Sequence, residues 1–406
     1  MSKILKSAIQ LLLMLSCCCI PGFTHVYAQS NAIVSENALP GTPASVWDIS
    51  GSGALSIQGF ATDISYNKGE TARFKIKTTA SGYTIKIYRL GYYAGLGARF
   101  QGDGIVTAAL PQSQSPCTTD FVNAANPGTG LLDCGNWSES AHWQIPAEAV
   151  SGIYIAKLTR NDDLTASSHI AFIVRDDASH SDLLFQTSDA TWQAYNIYGD
   201  TESNGKSLYR GVTGTKASKV SYNRPFYTRA GNGGGGAMED WLFNSEYPMI
   251  RFLEKNGYDM TYTTDIDSDR RGNLIANHKV FMSVGHDEYW SKGMRNNVTA
   301  ARNTGTHLAF FSGNEVYWKT RYENSISTGN APFRTLVCYK EGSQGENQCN
   351  GKCDETTIEW TGLWRSGCEF PGSDGCNPEN TLSGQLSWDG FTGTMEVPSD
   401  YKNLRF

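Results

Sequence analysis

"KVFMSVGHDEYWSKGM", residues 279–294, decides how the second half of the chain is read. Val280 to Val284 is an apolar run of strand length that stops at Gly285. His286, Asp287, Glu288, Tyr289 and Trp290 then arrive together, ahead of a stretch from Lys292 to Asn303 with helical spacing. In an open α/β sheet, ligands and chemistry collect at the carboxyl ends of the strands, so ionisable and aromatic groups at that point mark a candidate site.

The same alternation recurs on either side. "LLFQTS" (183–188) reads as a buried strand, and Trp241 to Lys255 carries Leu242, Met249, Ile250 and Leu253 on a helical period that stops at Asn256-Gly257. "YDMTYTT" (258–264) and "HLAFF" (307–311) resume as strands. Strand and helix in alternation predict a parallel sheet covered on both faces. Before Asp177 the texture is different: "SIQGFATDISYNKGETARFKIKT" (56–78), "YTIKIYRLGYY" (83–93) and "SGIYIAKLTRNDDLTASSHIAFIVRDD" (151–177) alternate apolar and polar residues between turns. The expected fold is therefore an N-terminal all-β, immunoglobulin-like sandwich over residues 30–177, followed by an α/β domain with a mostly parallel sheet over 180–406. "DYKNLRF" (400–406) reads as a strand in progress, so the second domain is expected to be cut short at the C-terminus. "LGYYAGLGAR" (90–99) reads as an aromatic hairpin. An insertion at 188–240 ends in "GNGGGG", which lacks the order of a phosphate loop. Past Ala331 the chain reads as irregular.

A length of 406 residues suits two cores. The net charge of -6, with no basic stripe, argues against nucleic acid as a partner. Lys3 and Lys6, the apolar stretch from Ile9 to Ile20 and Val26-Tyr27-Ala28 before Gln29 spell a secretory signal peptide over residues 1–28, which predicts a secreted or periplasmic protein. Cys17, Cys18 and Cys19 raise a lipoprotein anchor as the lesser alternative, since only Ser16 supplies small-residue context. No later run approaches the ~20 apolar residues of a membrane span. Export favours disulfides over metal thiolates. Cys117 and Cys134 flank a loop and are expected to pair, whereas Cys338, Cys349, Cys353, Cys368 and Cys376 crowd one segment. Seven cysteines beyond the leader leave one thiol over, or paired outside the chain.

Three strand ends carry polar or aromatic clusters: "LLFQTS" leads into "DATWQAYN", "KVFMSVG" into "HDEYW" and "HLAFFSG" into "NEVYW". In a parallel sheet these emerge at one edge, where Tyr195, His286, Glu288, Asn314 and Glu315 can converge. Each has a plainer reading. Glu288 suits the first turn of a helix, His286 the cap of that turn, Trp192, Trp290 and Trp318 packing, and Asp287 water. Against this, His-x-Glu places two side chains on one side of an extended strand end, a spacing that lets a His orient a metal-bound carboxylate. No G-x-S-x-G elbow occurs, and the cysteines avoid the strand ends.

"TWQAYN" (191–196), "GKSLY" (205–209), "VSYNRP" (220–225), "GHDEYWS" (285–291) and "FFSGNEVYW" (310–318), in this order and spacing, resemble the catalytic-domain pattern of the N,N-dimethylformamidase large (beta) subunit family. "ENALPG", "SIQGFATDIS" and "RLGYYAG" are similar to the domain that precedes it in secreted relatives. The resemblance implies a mononuclear Fe3+ acting as a Lewis acid, bound by Tyr195, Tyr209 and Glu288, with Tyr222 a rival to Tyr209. Phenolates and a carboxylate are hard anionic ligands suited to a trivalent cation that polarises an amide carbonyl and activates water. His286 and Asn314 fall on supporting catalytic positions: His286 orients Glu288 or carries a proton to the leaving amine, and Asn314 steadies the oxyanion, worth about 3 kcal/mol. Two departures stand out: the enzyme resembled works with a small partner subunit, and has Pro where this chain has Asp287. The reading that follows is an exported metal-dependent amidohydrolase acting on a small amide or other C–N substrate, as a single chain or a homo-oligomer. A secreted carbohydrate- or peptide-binding protein without catalysis is the alternative, and a truncated, inactive relative the third. Enzyme and binding module are separated by whether the tyrosine oxygens and the Glu288 carboxylate meet around one point.

Overall fold

The computed structural model describes residues 30–123, 125–199, 207–209, 216–227, 241–327, 329–341, 354, 359–366, 377–386 and 399. The leader, the "GNGGGG" run (231–236), Cys349, Cys353, Cys368, Cys376 and "DYKNLRF" lie outside the described residues. The described chain is mostly β, with several sheets and few helices.

Two short helices, α1 (Ala32–Asn37) and α2 (Ala44–Trp47), open a region that the sequence reads as all-β. They are too short to show a helical period, and tertiary contacts hold them: Ile33 and Trp47 are buried, and Asn37 accepts the backbone N–H groups of Tyr92 and Tyr93 at 3.0 and 2.9 Å. Eleven strands follow: β1 (Ile57–Ala61), β2 (Ser65–Asn67), β3 (Thr71–Thr78), β4 (Tyr83–Leu90), β5 (Ala98–Asp103), β6 (Ile105–Val106), β7 (Thr118–Thr119), β8 (Leu132–Asp133), β9 (Ala141–Gln144), β10 (Gly152–Arg160) and β11 (Ser167–Arg175). One sheet has the order β1-β3-β9-β6 and another β2-β11-β10-β4-β5. Their facing residues, among them Phe74, Ile76, Ile85, Ile87, Tyr154 and Phe172, form one apolar cluster. β3 shows why: Ala72, Phe74 and Ile76 point inward while Arg73 and Lys77 face water. A disulfide joins Cys117 and Cys134 beside the small β7/β8 pair, and Cys338 is a buried free thiol.

The remaining elements are β12 (Leu183–Thr187), α3 (Asp189–Tyr195), β13 (Lys219–Ser221), α4 (Glu246–Lys255), β14 (Met260–Thr264), α5 (Asp265–Arg270), β15 (Val280–Gly285), β16 (Tyr289–Ser291), α6 (Lys292–Asn303), β17 (His307–Ser312), β18 (Trp318–Glu323), β19 (Thr335–Val337) and α7 (Asn380–Ser383). The order β14-β12-β15-β17 is parallel throughout, so the carboxyl ends of these strands share one edge. Leu184 and Phe281 face Met294 and Val298 of α6. Leu183, Phe185 and Met282 on the other face join a cluster that contains Ile250 and Leu253 of α4, and also Ile153, Ile155 and Ile173 from the five-stranded sheet. A fully buried ion pair crosses the same seam: Arg89 of β4 meets both carboxylate oxygens of Glu254 in α4, at 3.0 and 2.7 Å.

Two expectations are corrected. α4 begins at Glu246 and not at Trp241, because Trp241 and Leu242 are buried within a turn closed by Asn244 N–H on Trp241 O at 2.9 Å. The segment past Ala331 is not wholly irregular, since β19 completes a further sheet of order β13-β19-β18-β16. Three-residue strands such as β13, β16 and β19 carry too little periodicity to be recognised. Among the described residues no helix is long and apolar enough to cross a membrane.

Candidate functional site

At the carboxyl end of β15 the chain turns at Gly285, whose φ of 94° is in the left-handed region and whose Cα faces Ser188 and Glu246 too closely for a side chain. Beyond it Glu288 is 4 % exposed and is the hub of a cluster drawn from four parts of the sequence. Tyr195, the last residue of α3, donates to Glu288 Oε2 at 3.2 Å. Tyr209 donates to both carboxylate oxygens, at 3.0 and 2.8 Å. The two tyrosine rings stack with centroids 4.0 Å apart, and Leu208 N–H on Ala194 O fixes the short Tyr209 segment to the end of α3. Trp318, at the start of β18, donates its indole N–H to Glu288 Oε1 at 2.9 Å. It is therefore more than the packing residue that its type suggests. Trp192 and Trp290 are fully buried.

His286 and Asn314 sit at the rim. His286 Nε2 lies 3.5 Å from Glu288 Oε2 and 3.1 Å from Asn314 Nδ2. Asn314 and Val316 have φ of 50° and 59°, a conformation rare for any residue but Gly and most strained for a β-branched one. Backbone bonds impose it: Gly313 N–H binds Gly285 O, Val316 N–H binds Asp287 O and Trp318 N–H binds Glu288 O. The loop after β17 is thus clamped along the strand end that carries Glu288.

Lys340 is a member that the sequence gives no reason to select. Its ammonium lies 3.3 Å from the ring centroid of Tyr209 and 4.8 Å from that of Trp318. A 4.0 Å stack leaves no room for an ammonium between the rings, so Tyr195 and Lys340 take opposite faces of Tyr209. Burial and then the Glu288 charge hold the Tyr209 phenol well above its ordinary pKa, so it is a proton donor in the structure as it stands.

Other expected members lie elsewhere. Tyr222, the rival of Tyr209, donates instead to Asp189 Oδ2 at 2.9 Å. Glu315 is buried against Ser383 and Gln385. Asp287 does not face water: it is fully buried, accepts Ser283 Oγ at 2.6 Å and Gln186 Nε2 at 2.9 Å, and is pushed up to about 7 by burial. The signal for this was present, since Gln186 and Ser283 are polar residues inside otherwise apolar strands and require a buried partner. Asp189, held by Thr187, Tyr222 and the Asp265 N–H, is also pushed up to about 7 by burial, and Asp265 beside them is held well above the carboxylate range.

Among the described residues no three His, Cys, Asp or Glu side chains converge as a metal cage, so a cation here would depend on the phenolic oxygens. The donor set fits one. Two oxygens bound to one small ion by bonds of about 2 Å lie roughly 2.8–3.3 Å apart, and Glu288 Oε2 is 2.8 Å from Tyr209 Oη and 3.2 Å from Tyr195 Oη.

A parallel-sheet domain with a tyrosine–carboxylate cluster at its strand ends, joined to a twin-sheet β region, defines the class. Residues 84–404, more than half of the chain, match the family described as "N,N-dimethylformamidase beta subunit-like, C-terminal". The chain belongs to that family, which sets it among dimethylformamidase-like hydrolases. No curated protein matches it. Among solved structures, an uncharacterized protein from Bacillus anthracis str. Ames is 12% identical and aligns over 31% of this chain and 83% of its own, with a TM-score of 0.17. VCBP3 domain 1 from Branchiostoma floridae is 7% identical over 32% of this chain and 98% of its own, with a TM-score of 0.19. A cycloisomaltooligosaccharide glucanotransferase from Paenibacillus sp. is 10% identical over 72% of this chain and 35% of its own, with a TM-score of 0.16. At these scores the three likenesses carry no functional reading.

Proposed function

We propose that this chain is an exported hydrolase that cleaves the C–N bond of a small amide, using ferric iron held by Tyr195, Tyr209 and Glu288. The leader-like residues 1–28 support export to a secreted or periplasmic location, and the twin-sheet region serves as a β-sandwich ahead of the catalytic domain. The observation that carries the reading is the meeting of two phenols from separate segments on one buried carboxylate, in a member of this family.

Bound there, ferric iron would supply Lewis acidity toward an amide carbonyl and a water molecule. To hold the iron, Tyr195 and Tyr209 would release to solvent the protons they now donate to Glu288, since hard anionic oxygens must be deprotonated to act as ligands. Trp318 keeps Glu288 in one orientation throughout, because its N–H needs no proton exchange to do so. The Lys340 ammonium on the outer face of Tyr209 favours negative charge on that ring. At the rim, the exposed Asn314 amide donates to the carbonyl oxygen as charge develops there. His286, held between Asn314 and Glu288, relays a proton from the attacking water to the departing amine.

The test compares exported protein with its Glu288→Gln variant by elemental analysis and by amine release from a panel of N-alkylformamides and larger amides. About one iron per chain and measurable amine release are expected in the parent, with both lost in the variant. Folded parent protein that takes up no iron and releases no amine from any amide would sink the reading.

A further inference from the structure

Tyr289 has no part in the chemistry above, yet it is the best-enclosed tyrosine of the cluster. It lies in β16 with 0% exposure, and its hydroxyl donates to Tyr209 Oη at 2.5 Å. The direction of that bond is fixed by counting protons. Tyr209 commits its single proton to Glu288, so its oxygen can only accept from Tyr289. The result is a one-way chain from Tyr289 to Tyr209 to Glu288.

The strand pairing explains why the chain sits where it does. β16 runs parallel to β18 with Tyr289 opposite Trp318. Trp318 is the residue whose indole N–H holds Glu288 Oε1. Two facing residues of one short strand pair therefore support the two partners of a single contact, Tyr289 the phenol and Trp318 the carboxylate.

We propose that Tyr289 is a positioning residue for Tyr209, fixing its oxygen before iron arrives and still donating a hydrogen bond to that oxygen as a ligand; this rests on the iron-site reading above. A hydrogen bond to an anionic oxygen is charge-assisted and draws density away from it. Groups that support a metal ligand in this way typically contribute about 10–100-fold in affinity.

The test loads ferric iron, supplied as its citrate complex, into the full chain and into Tyr289→Phe and Trp318→Phe, and records iron affinity and the phenolate-to-iron charge-transfer band. Tyr289→Phe is expected to bind about 10–100-fold more weakly, with the band moved to longer wavelength because the phenolate becomes a better electron donor. Trp318→Phe, which keeps an aromatic ring beside Lys340, is expected to weaken binding without moving the band, since among the three proposed ligands its hydrogen bond reaches only the carboxylate. A second reading needs no variant: in the unaltered protein, exchange into deuterium oxide should shift the phenolate C–O stretch in resonance Raman spectra. Unchanged affinity and band in Tyr289→Phe, or no isotope shift in the parent, would overturn this inference while leaving the iron site standing. Absence of iron and of the band in the folded parent would instead remove the site reading and this inference with it.

Discussion

Two tyrosine–carboxylate clusters lie at the same sheet edge, and they are built for different ends. Around Glu288 the phenols of Tyr195 and Tyr209 converge on one carboxylate, Lys340 brings a positive charge and His286 with Asn314 forms a rim. Around Asp189, the Tyr222 phenol meets a carboxylate that shares its surroundings with Asp265 and Asp287, all of them fully buried. Burial without a compensating cation drives the Asp cluster toward keeping its protons. The Glu288 cluster has the Lys340 ammonium on the Tyr209 ring and the exposed Asn314 beside it. Phenol and carboxylate thus meet in both places, and what sets them apart is the Lys340 ammonium on Tyr209 and the His286–Asn314 rim.

The sharpest way to break this comparison is to remove one phenol from each cluster. Tyr209→Phe should lower ferric iron affinity by at least roughly 10³-fold, as expected for loss of a direct anionic ligand, against roughly 10–100-fold for an outer support. Tyr222→Phe should leave iron uptake unchanged and cost about 1 kcal/mol of stability in a urea melt. Equal iron loss in both would erase the distinction. Next in size, Asn314→Ala should reduce amide turnover by about 10²-fold with iron content intact, if the rim steadies the reacting carbonyl. A parallel loss of iron would move Asn314 from the reaction into the scaffold.

The smallest effect concerns protons. Asp287 is raised to about 7 in the fold, above the ~3.9 of an unfolded aspartate, so its proton stabilises the folded state. That contribution is complete below about pH 4 and is lost as pH rises to about 7, at a slope of up to ~1.4 kcal/mol per pH unit. Replacing it by Asn removes this titration and should flatten this part of the stability–pH curve. Urea melts at several pH values would show it, and an unaltered slope in Asp287→Asn would mean that the carboxyl is ionised in the fold.

Much of this arrangement is legible in the sequence, for stated reasons. The apolar runs of β12, β15 and β17 are long enough to be recognised, and their parallel order carries Tyr195, His286, Glu288 and Asn314 to one edge. The choice between Tyr209 and Tyr222 is not legible, because both lie in an insertion whose period says nothing about which way a side chain turns. Lys340 and Tyr289 are hidden for a related reason: their neighbours belong to strands of three residues, and tertiary contact alone places them. Asp287 is misread because His-Asp-Glu looks like a surface turn, whereas Ser283 and Gln186 draw the middle residue inward.

The apolar cluster that Ile153, Ile155 and Ile173 share with Leu183, Phe185 and Met282 has a consequence for how the chain behaves when cut. The turn near residues 176–180 looks like a hinge between modules, but it is a seam across which one interior is continuous and the Arg89–Glu254 pair is locked. A protease that nicked it would leave two fragments still bound to each other. By the same reasoning, a substitution that loosens β10 or β11 reaches the underside of the β14-β12-β15-β17 sheet.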